Sequence, residues 1–364
     1  AAQRNENPRD RIGDSHLHGW TSITETLSRK VTHRDPTMRA CCGKHDGAHQ
    51  HQPVIVHVAG EIPPQWRLAS TGDAALDQHM HRRRVAALGK LAELRERYPR
   101  GESALTQAQC AYTSDATLVR FLEARDGDVG KASEMLATSL AWRAEHLDGR
   151  EHVCPACRAN PNAHCFIPIG TDDRGWQMIY SSGARAMDKS SISSVVHMSA
   201  TLEQIFNDGA KPGKIVWIID MHGFGWRDFD MSMASTVVPM FSNQYPERMG
   251  QIVILDPPFF LKAVWEGLVA MLDPVTRRKI VMLRADKFEY LKTHCTTDAQ
   301  LDFLDATLSK ECKAVPGNLP PKQTELILAE AGYPGVCGNG GAFKLPGASP
   351  DALLEPPSFW SYFF

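Results

Sequence analysis

Three apolar runs, KIVWIID (214–220), QIVIL (251–255) and KIVML (279–283), recur between stretches of helical periodicity, and none of them alternates apolar with polar residues. A strand of that kind has to be covered on both faces, which is the signature of a buried parallel sheet rather than a half-solvated antiparallel one. The intervening segments predict helices over about 232–243 and about 259–272. The order is therefore βαβαβ, an α/β layer of mainly parallel strands joined by right-handed crossovers. Upstream, 165–169 and 177–181 read as two strands around the turn Asp172-Asp173-Arg174-Gly175, which has hairpin chemistry. A helix follows with Val195, Met198, Leu202, Ile205 and Phe206 on one face.

Before the sheet the grammar is helical. Leu76, Met80, Ala87, Leu91 and Leu94 recur at helical spacing until Pro99-Arg100-Gly101 ends the run. Ser114 can cap a helix burying Leu118, Phe121 and Leu122, and Asp128 can cap one through Val129, Ala132, Met135, Leu136 and Leu140. The expected organisation is an irregular extension (1–72), a helical unit (73–150), the α/β domain (151–315) and a tail (316–364). In the extension, His45, His49 and His51 lack accompanying carboxylates or fixed spacing and read as part of a polar tail rather than a metal site. The tail ends in aromatics that could dock on a protein partner or fold back.

Forty Lys and Arg against 42 Asp and Glu give a formal charge of −2, which does not advertise nucleic-acid binding. The basic run His79-Met80-His81-Arg82-Arg83-Arg84 reads as a solvated helix face that could favour an anionic membrane surface. No apolar stretch is long enough to span a bilayer and the first residues lack a signal-type apolar core, so membrane contact is expected to be peripheral. Nine cysteines, an odd number, fit free thiols and a cytoplasmic setting better than a disulfide framework.

The common catalytic signatures do not occur. There is no GxGxxG after a strand, no GxxxxGK[ST], no GxSxG elbow and no HExxH. Gly223 and Gly225 follow a strand but open no helix, and Asp220 at a strand end has no paired base or nucleophile nearby in sequence, so it reads as a turn residue. Cys154, Cys157, His164 and Cys165 supply four possible soft ligands within twelve residues. Because His164 and Cys165 are adjacent and Cys165 opens a strand, buried thiols are the favoured reading over a structural zinc, and no metal or cofactor is assigned.

The segments TLVRFLEARDGDVGKASEMLATSLAWRAEH, YPERMGQIVIL and LDPVTRRKIVML occur in that order and together resemble the CRAL-TRIO lipid-binding family, in particular its phosphatidylinositol/phosphatidylcholine transfer group, over about 73–315. The resemblance implies a helical unit followed by a mainly parallel sheet with flanking helices, the sheet flooring an apolar pocket for one lipid. It further implies that Arg125, Glu247 and Lys279 hold a phosphatidylinositol headgroup, cations meeting the phosphate and the carboxylate accepting from inositol hydroxyls. The competing reading is that Glu247 merely pairs with Lys279 or Arg248 at a strand start.

The stretch Phe259, Phe260, Leu261, Val264, Trp265, Leu268, Val269, Met271 and Leu272 leaves only Lys262 and Glu266 as charges. It reads either as a core helix or as a lid that covers acyl chains and swings into a bilayer surface. One departure from the family is Ile215 and Trp217, where phosphatidylcholine-binding members carry hydroxyls; this puts phosphatidylcholine exchange in doubt. The expected function is non-enzymatic binding and transfer or presentation of phosphatidylinositol through transient membrane contact, with no nucleic-acid partner. The rivals are a carrier of a tocopherol, retinoid or sterol-like molecule, and a lipid-regulated adaptor that captures a protein through its termini.

Overall fold

The computed structural model describes residues 62–99, 105–148, 150, 152–206, 211–270, 272, 274–309 and 312–318. The histidines of the extension and the aromatic tail lie outside these residues. The helical unit comprises α1 (Ala74–Arg97), α2 (Gln107–Tyr112), α3 (Asp115–Ala124) and α4 (Val129–His146). The caps read from sequence are in place: Asp73 accepts from Ala75 N and Leu76 N, Ser114 from Thr117 N and Asp128 from Lys131 N. These helices share a core of Ala87, Leu91, Leu94, Leu118, Phe121, Leu122, Leu136 and Leu140. After the short helix α5 (Pro155–Ala159) come β1 (Phe166–Thr171) and β2 (Gln177–Ser181), α6 (Ser191–Phe206), β3 (Ile215–Asp220), α7 (Met231–Gln244) and β4 (Met249–Leu255). The order then continues through α8 (Leu261–Ala270), α9 (Pro274–Arg278), β5 (Ile280–Leu283), α10 (Lys287–Lys292) and α11 (Asp298–Leu308).

The five strands stand in chain order. Only β1 and β2 are antiparallel; β2, β3, β4 and β5 run parallel. In the β1–β2 turn the Asp172 carboxylate accepts from Arg174 N and Trp176 N, and Gly175 takes the left-handed φ of +74°. Alternation along the strands sends Ile167, Ile169, Met178, Tyr180, Val216, Ile218, Val253 and Leu255 to one core, closed by Leu291, Phe303, Leu304 and Leu308 of α10 and α11. Phe166, Ile179, Ile215, Ile252 and Ile254 face the other side, against Val195, Met198, Leu202, Ile205 and Phe206 of α6 and Val237, Met240 and Phe241 of α7.

The three unalternating runs differ in cover. Every residue of β4 is buried, whereas β5 is an edge strand, half-buried with Met282 exposed. Two-sided burial is therefore complete only in β4, since β3 is half-buried at Trp217 and Ile219, and β5 owes its apolar run to something other than full enclosure. At Gly250 a Cβ would sit 2.6 and 2.8 Å from Trp176 ring carbons and 3.0 Å from the Ile215 carbonyl. Gly250→Ala is accordingly expected to cost about 1–3 kcal/mol through overpacking, read as a lowered urea midpoint; an unchanged midpoint would mean that Trp176 yields.

Candidate functional site

Parallel strands carry their N-terminal ends to one edge of the sheet, so residues just ahead of β3, β4 and β5 become neighbours although far apart in sequence. Lys214, Glu247 and Lys279 occupy those places. Glu247 Oε2 lies 3.9 Å from Lys214 Nζ and 4.0 Å from Lys279 Nζ, and its Oε1 lies 3.0 Å from Arg83 Nη1, which arrives from α1. Lys279 Nζ also donates to the Met249 carbonyl at 2.9 Å. Arg83 pairs in addition with Asp126 at 2.9 Å, and Arg84 pairs with Glu123. Four cations thus face three carboxylates.

The electrostatics follow from burial and proximity. Burial on its own would raise the Glu247 carboxyl, but Lys279, Lys214 and Arg83 overcome it and hold the group down to about 2. Burial, reinforced by the like charge of Lys279, pushes the Lys214 ammonium down to about 8, against the pull of Glu247. Glu247 has a φ of +60°, an uncommon conformation for a side-chain-bearing residue, which costs of order 1–3 kcal/mol and persists only where its surroundings impose it.

The structure brings Glu247 and Lys279 together, which both the headgroup reading and the ion-pair reading expect, but the guanidinium on the carboxylate belongs to Arg83. Arg125 closes α3, is half-buried, and donates to the carbonyl of Ala124 at 3.0 Å. The basic run of α1 is divided: His81 and Arg82 are exposed, while Arg83 and Arg84 turn inward. The solvated-face reading therefore fails for these two arginines. They stand three and four residues after buried Met80 and ahead of buried Ala87, so helical spacing does place them on the inner face.

The segment considered as a gate has a mixed character. Phe260 is buried and stacks on Trp226 at 4.2 Å, Leu261 is buried, and Phe259 is 86% exposed. Within α8, Trp265, Leu268 and Val269 are half-buried and Lys262 and Glu266 exposed, so this is an amphipathic surface helix and not an enclosed core helix. The side chain of Val264 and residue Met271 lie outside the description. Trp265 joins Trp217, Ile219, Met221, Met233 and Ile280 as incompletely covered apolar side chains packed on the α6–α7 side of the sheet. Trp217 donates its indole N–H to Ser181 Oγ at 2.7 Å, and the ring is tilted against Phe241.

Asp220 is buried, accepting from Tyr180 OH at 2.5 Å and from His222 N at 2.9 Å, the turn role expected of it. Cys154, Cys157 and His164 come together, whereas Cys165 points into the opposite core, where burial pushes its thiol up to about 12. His197, from α6, stands with the other three. Sequence spacing gave no sign of it.

Residues 162–304 match the model of the CRAL/TRIO domain. The chain carries a CRAL/TRIO domain. The match contains all five strands together with Lys214, Glu247 and Lys279, while Arg83 and Arg125 precede it. Relatives include a CRAL-TRIO domain-containing protein of Schizosaccharomyces pombe, 25% identical over 206 residues. A phosphatidylinositol transfer protein of Eremothecium gossypii is 26% identical over 199 residues, and the real-time protein of Aedes aegypti is 23% identical over 264. These alignments take in 52%, 50% and 66% of this chain and 58%, 45% and 41% of the three relatives. The expected α/β fold and family resemblance are borne out, and the CRAL/TRIO family is one of lipid binding and transfer. Among the described residues no helix is long and apolar enough to cross a membrane.

Proposed function

We propose that the chain is a non-enzymatic carrier that binds one phosphatidylinositol and transfers or presents it at membrane surfaces. The observation that carries this reading is the convergence of Arg83, Lys214 and Lys279 on Glu247 at the strand edge that leads into a large apolar sheet face. From Lys214 to Met221 the chain runs roughly 23 Å along β3 at ~3.3 Å per residue, a span that suits an amphiphile with a charged head at one end and acyl chains at the other. Cations bind the phosphate and Glu247 accepts from the inositol hydroxyls, while Arg125 stands at the end of α3 as a further guanidinium for the same anion. Apolar burial of the chains, at about 25 cal/mol per Å², supplies most of the affinity. The half-buried face of α8 and the exposed Phe259 supply a surface suited to the bilayer interface during exchange. Nothing in such a cycle requires a covalent step.

Trp217 favours a second ligand other than phosphatidylcholine. Its single donor is committed to Ser181, and neither it nor Ile215 offers the hydroxyl that a choline phospholipid's phosphate would use.

The test is mass spectrometry of lipid extracted from the protein after incubation with mixed phospholipid vesicles and re-isolation. Selective phosphatidylinositol enrichment is expected; enrichment of another hydrophobe overturns the headgroup assignment, and an empty protein favours the adaptor rival. The same assay carries a pH expectation. Lys214 is cationic below about 8 and loses its charge above it, so phosphatidylinositol loading should fall as pH rises through 8. A loading profile flat from neutral pH to pH values well above 8 would remove Lys214 from the site.

A further inference from the structure

Four ligand atoms meet in a buried spot at the start of the α/β domain, remote in sequence from the charged strand edge. Cys154 and Cys157 come from α5 and its cap, His164 from the turn before β1 and His197 from the middle of α6. Cys157 Sγ lies 3.4 Å from Nδ1 of both His164 and His197, Cys154 Sγ lies 3.5 Å from His164 Nδ1, and all four ligand atoms fall within 4.8 Å of one another. We propose that Cys154, Cys157, His164 and His197 form a tetrahedral structural zinc site.

Size, outer partners and local packing agree on this. With Zn–S near 2.3 Å and Zn–N about 2.0–2.1 Å, the sulfur–nitrogen edge of a tetrahedron is about 3.6 Å, close to the three distances above. An oxygen stands near the far nitrogen of each imidazole, within hydrogen-bond distance for His197 alone. His197 Nε2 sits 3.1 Å from the Phe166 carbonyl, and His164 Nε2 sits 3.6 Å from the Asp188 carboxylate. The Phe166 carbonyl favours a proton on His197 Nε2, which leaves its Nδ1 lone pair aimed at the Cys157 sulfur, the outer-shell arrangement that orients histidine ligands, whereas His164 Nε2 has the Asp188 carboxylate near it but makes no hydrogen bond. The rings stack with centroids 4.9 Å apart.

The apolar content of the segment is small. Its cluster consists of Cys154, Cys157 and Ala163 with Ala156 against it. A metal bound by two thiolates and two imidazoles would crosslink that loop to α6, adding to the hydrogen bond that Gln204 Nε2 of α6 donates to the His152 carbonyl. Sulfur and imidazole in a closed tetrahedral set select zinc over harder ions. The competing arrangement is a pair of S–H···N hydrogen bonds between neutral thiols and imidazoles, which would satisfy the same atoms without metal.

The test uses the full-length, tag-free chain, reduced and purified, with metal content measured by plasma mass spectrometry. One zinc per chain is expected, lost in Cys154→Ser and in His197→Ala and kept in Cys295→Ser. Zinc retained by Cys154→Ser would place the metal elsewhere, the histidines at 45, 49 and 51 included, and would overturn the site. A second measurement covers variants that fail to fold. Cobalt exchanged into the unmodified protein should show intense tetrahedral ligand-field bands and a thiolate charge-transfer band. Cobalt without the thiolate band, or a chain that takes up neither zinc nor cobalt, leaves the hydrogen-bonded arrangement and ends the proposal.

Discussion

Glu203→Gln is expected to destabilise the protein by about 3–5 kcal/mol, because it breaks a buried ion pair by removing one partner. The Glu203 carboxylate, on α6, accepts from Arg143 Nη1 at 2.8 Å and Nη2 at 2.7 Å, both atoms belonging to α4, and from Tyr245 OH at 2.8 Å just after α7. The paired side chains are 3% and 1% exposed, and the guanidinium lies 3.9 Å over the Tyr112 ring. An amide in that place leaves a buried guanidinium without its counter-charge. In urea unfolding at neutral pH the midpoint should drop by about 1 M or more. A midpoint within experimental scatter of the unmodified protein would show that Arg143 finds another partner.

The same pair sets an acid limit. Burial raises the Glu203 carboxyl, but the hydrogen bonds and charge of Arg143 outweigh it and leave the group below its ordinary value of 4.5. A carboxylate with a lowered folded-state value contributes stability that is complete above the unfolded value and fades as pH falls through the folded one. The unmodified protein should therefore lose stability on acidification below 4.5, and the Gln variant should lack that part of the slope. Replacing both partners, Arg143→Met with Glu203→Leu, is expected to recover much of the loss, since neither charge then remains buried.

Period and caps were legible in the residues because they are local. Asp73, Ser114 and Asp128 cap the helices that their positions announce, and the apolar runs mark β3, β4 and β5. Thr297 and Gln300 form a reciprocal capping box at the head of α11, a local signal of the same kind. What spacing cannot deliver is convergence. His197 is 40 residues from the Cys157 sulfur it faces, and only the packing of α6 on β1 unites them. Arg83 was recoverable in part: its phase relative to Met80 and Ala87 points inward, but its meeting with Glu247 depends on how α1 lies against the sheet edge. A family pattern supplied Glu247 and Lys279, and the same pattern pointed to Arg125 where this chain sets Arg83 on the carboxylate.

Lys279→Ala should reduce phosphatidylinositol loading roughly 10- to 150-fold, the equivalent of one charged hydrogen bond of ~1.5–3 kcal/mol. The fold should survive, because Glu247 keeps Arg83 at 3.0 Å and Lys214 at 3.9 Å and is not left as an isolated buried charge. Removing one cation brings the edge from four against three to an equal count, so the surplus that would meet a phosphate disappears. A partial compensation follows from the same geometry. Lys279 is the like charge that helps hold the Lys214 ammonium down, so its loss lets that group rise, and residual loading should persist to higher pH than in the unmodified protein. Uptake of an uncharged hydrophobe serves as the control: it should be unaffected if the lysine acts on the headgroup. Equal loss of all ligands would instead mark Lys279 as a structural partner of Glu247 and the Met249 carbonyl, and unchanged phosphatidylinositol loading would remove the strand edge from recognition altogether.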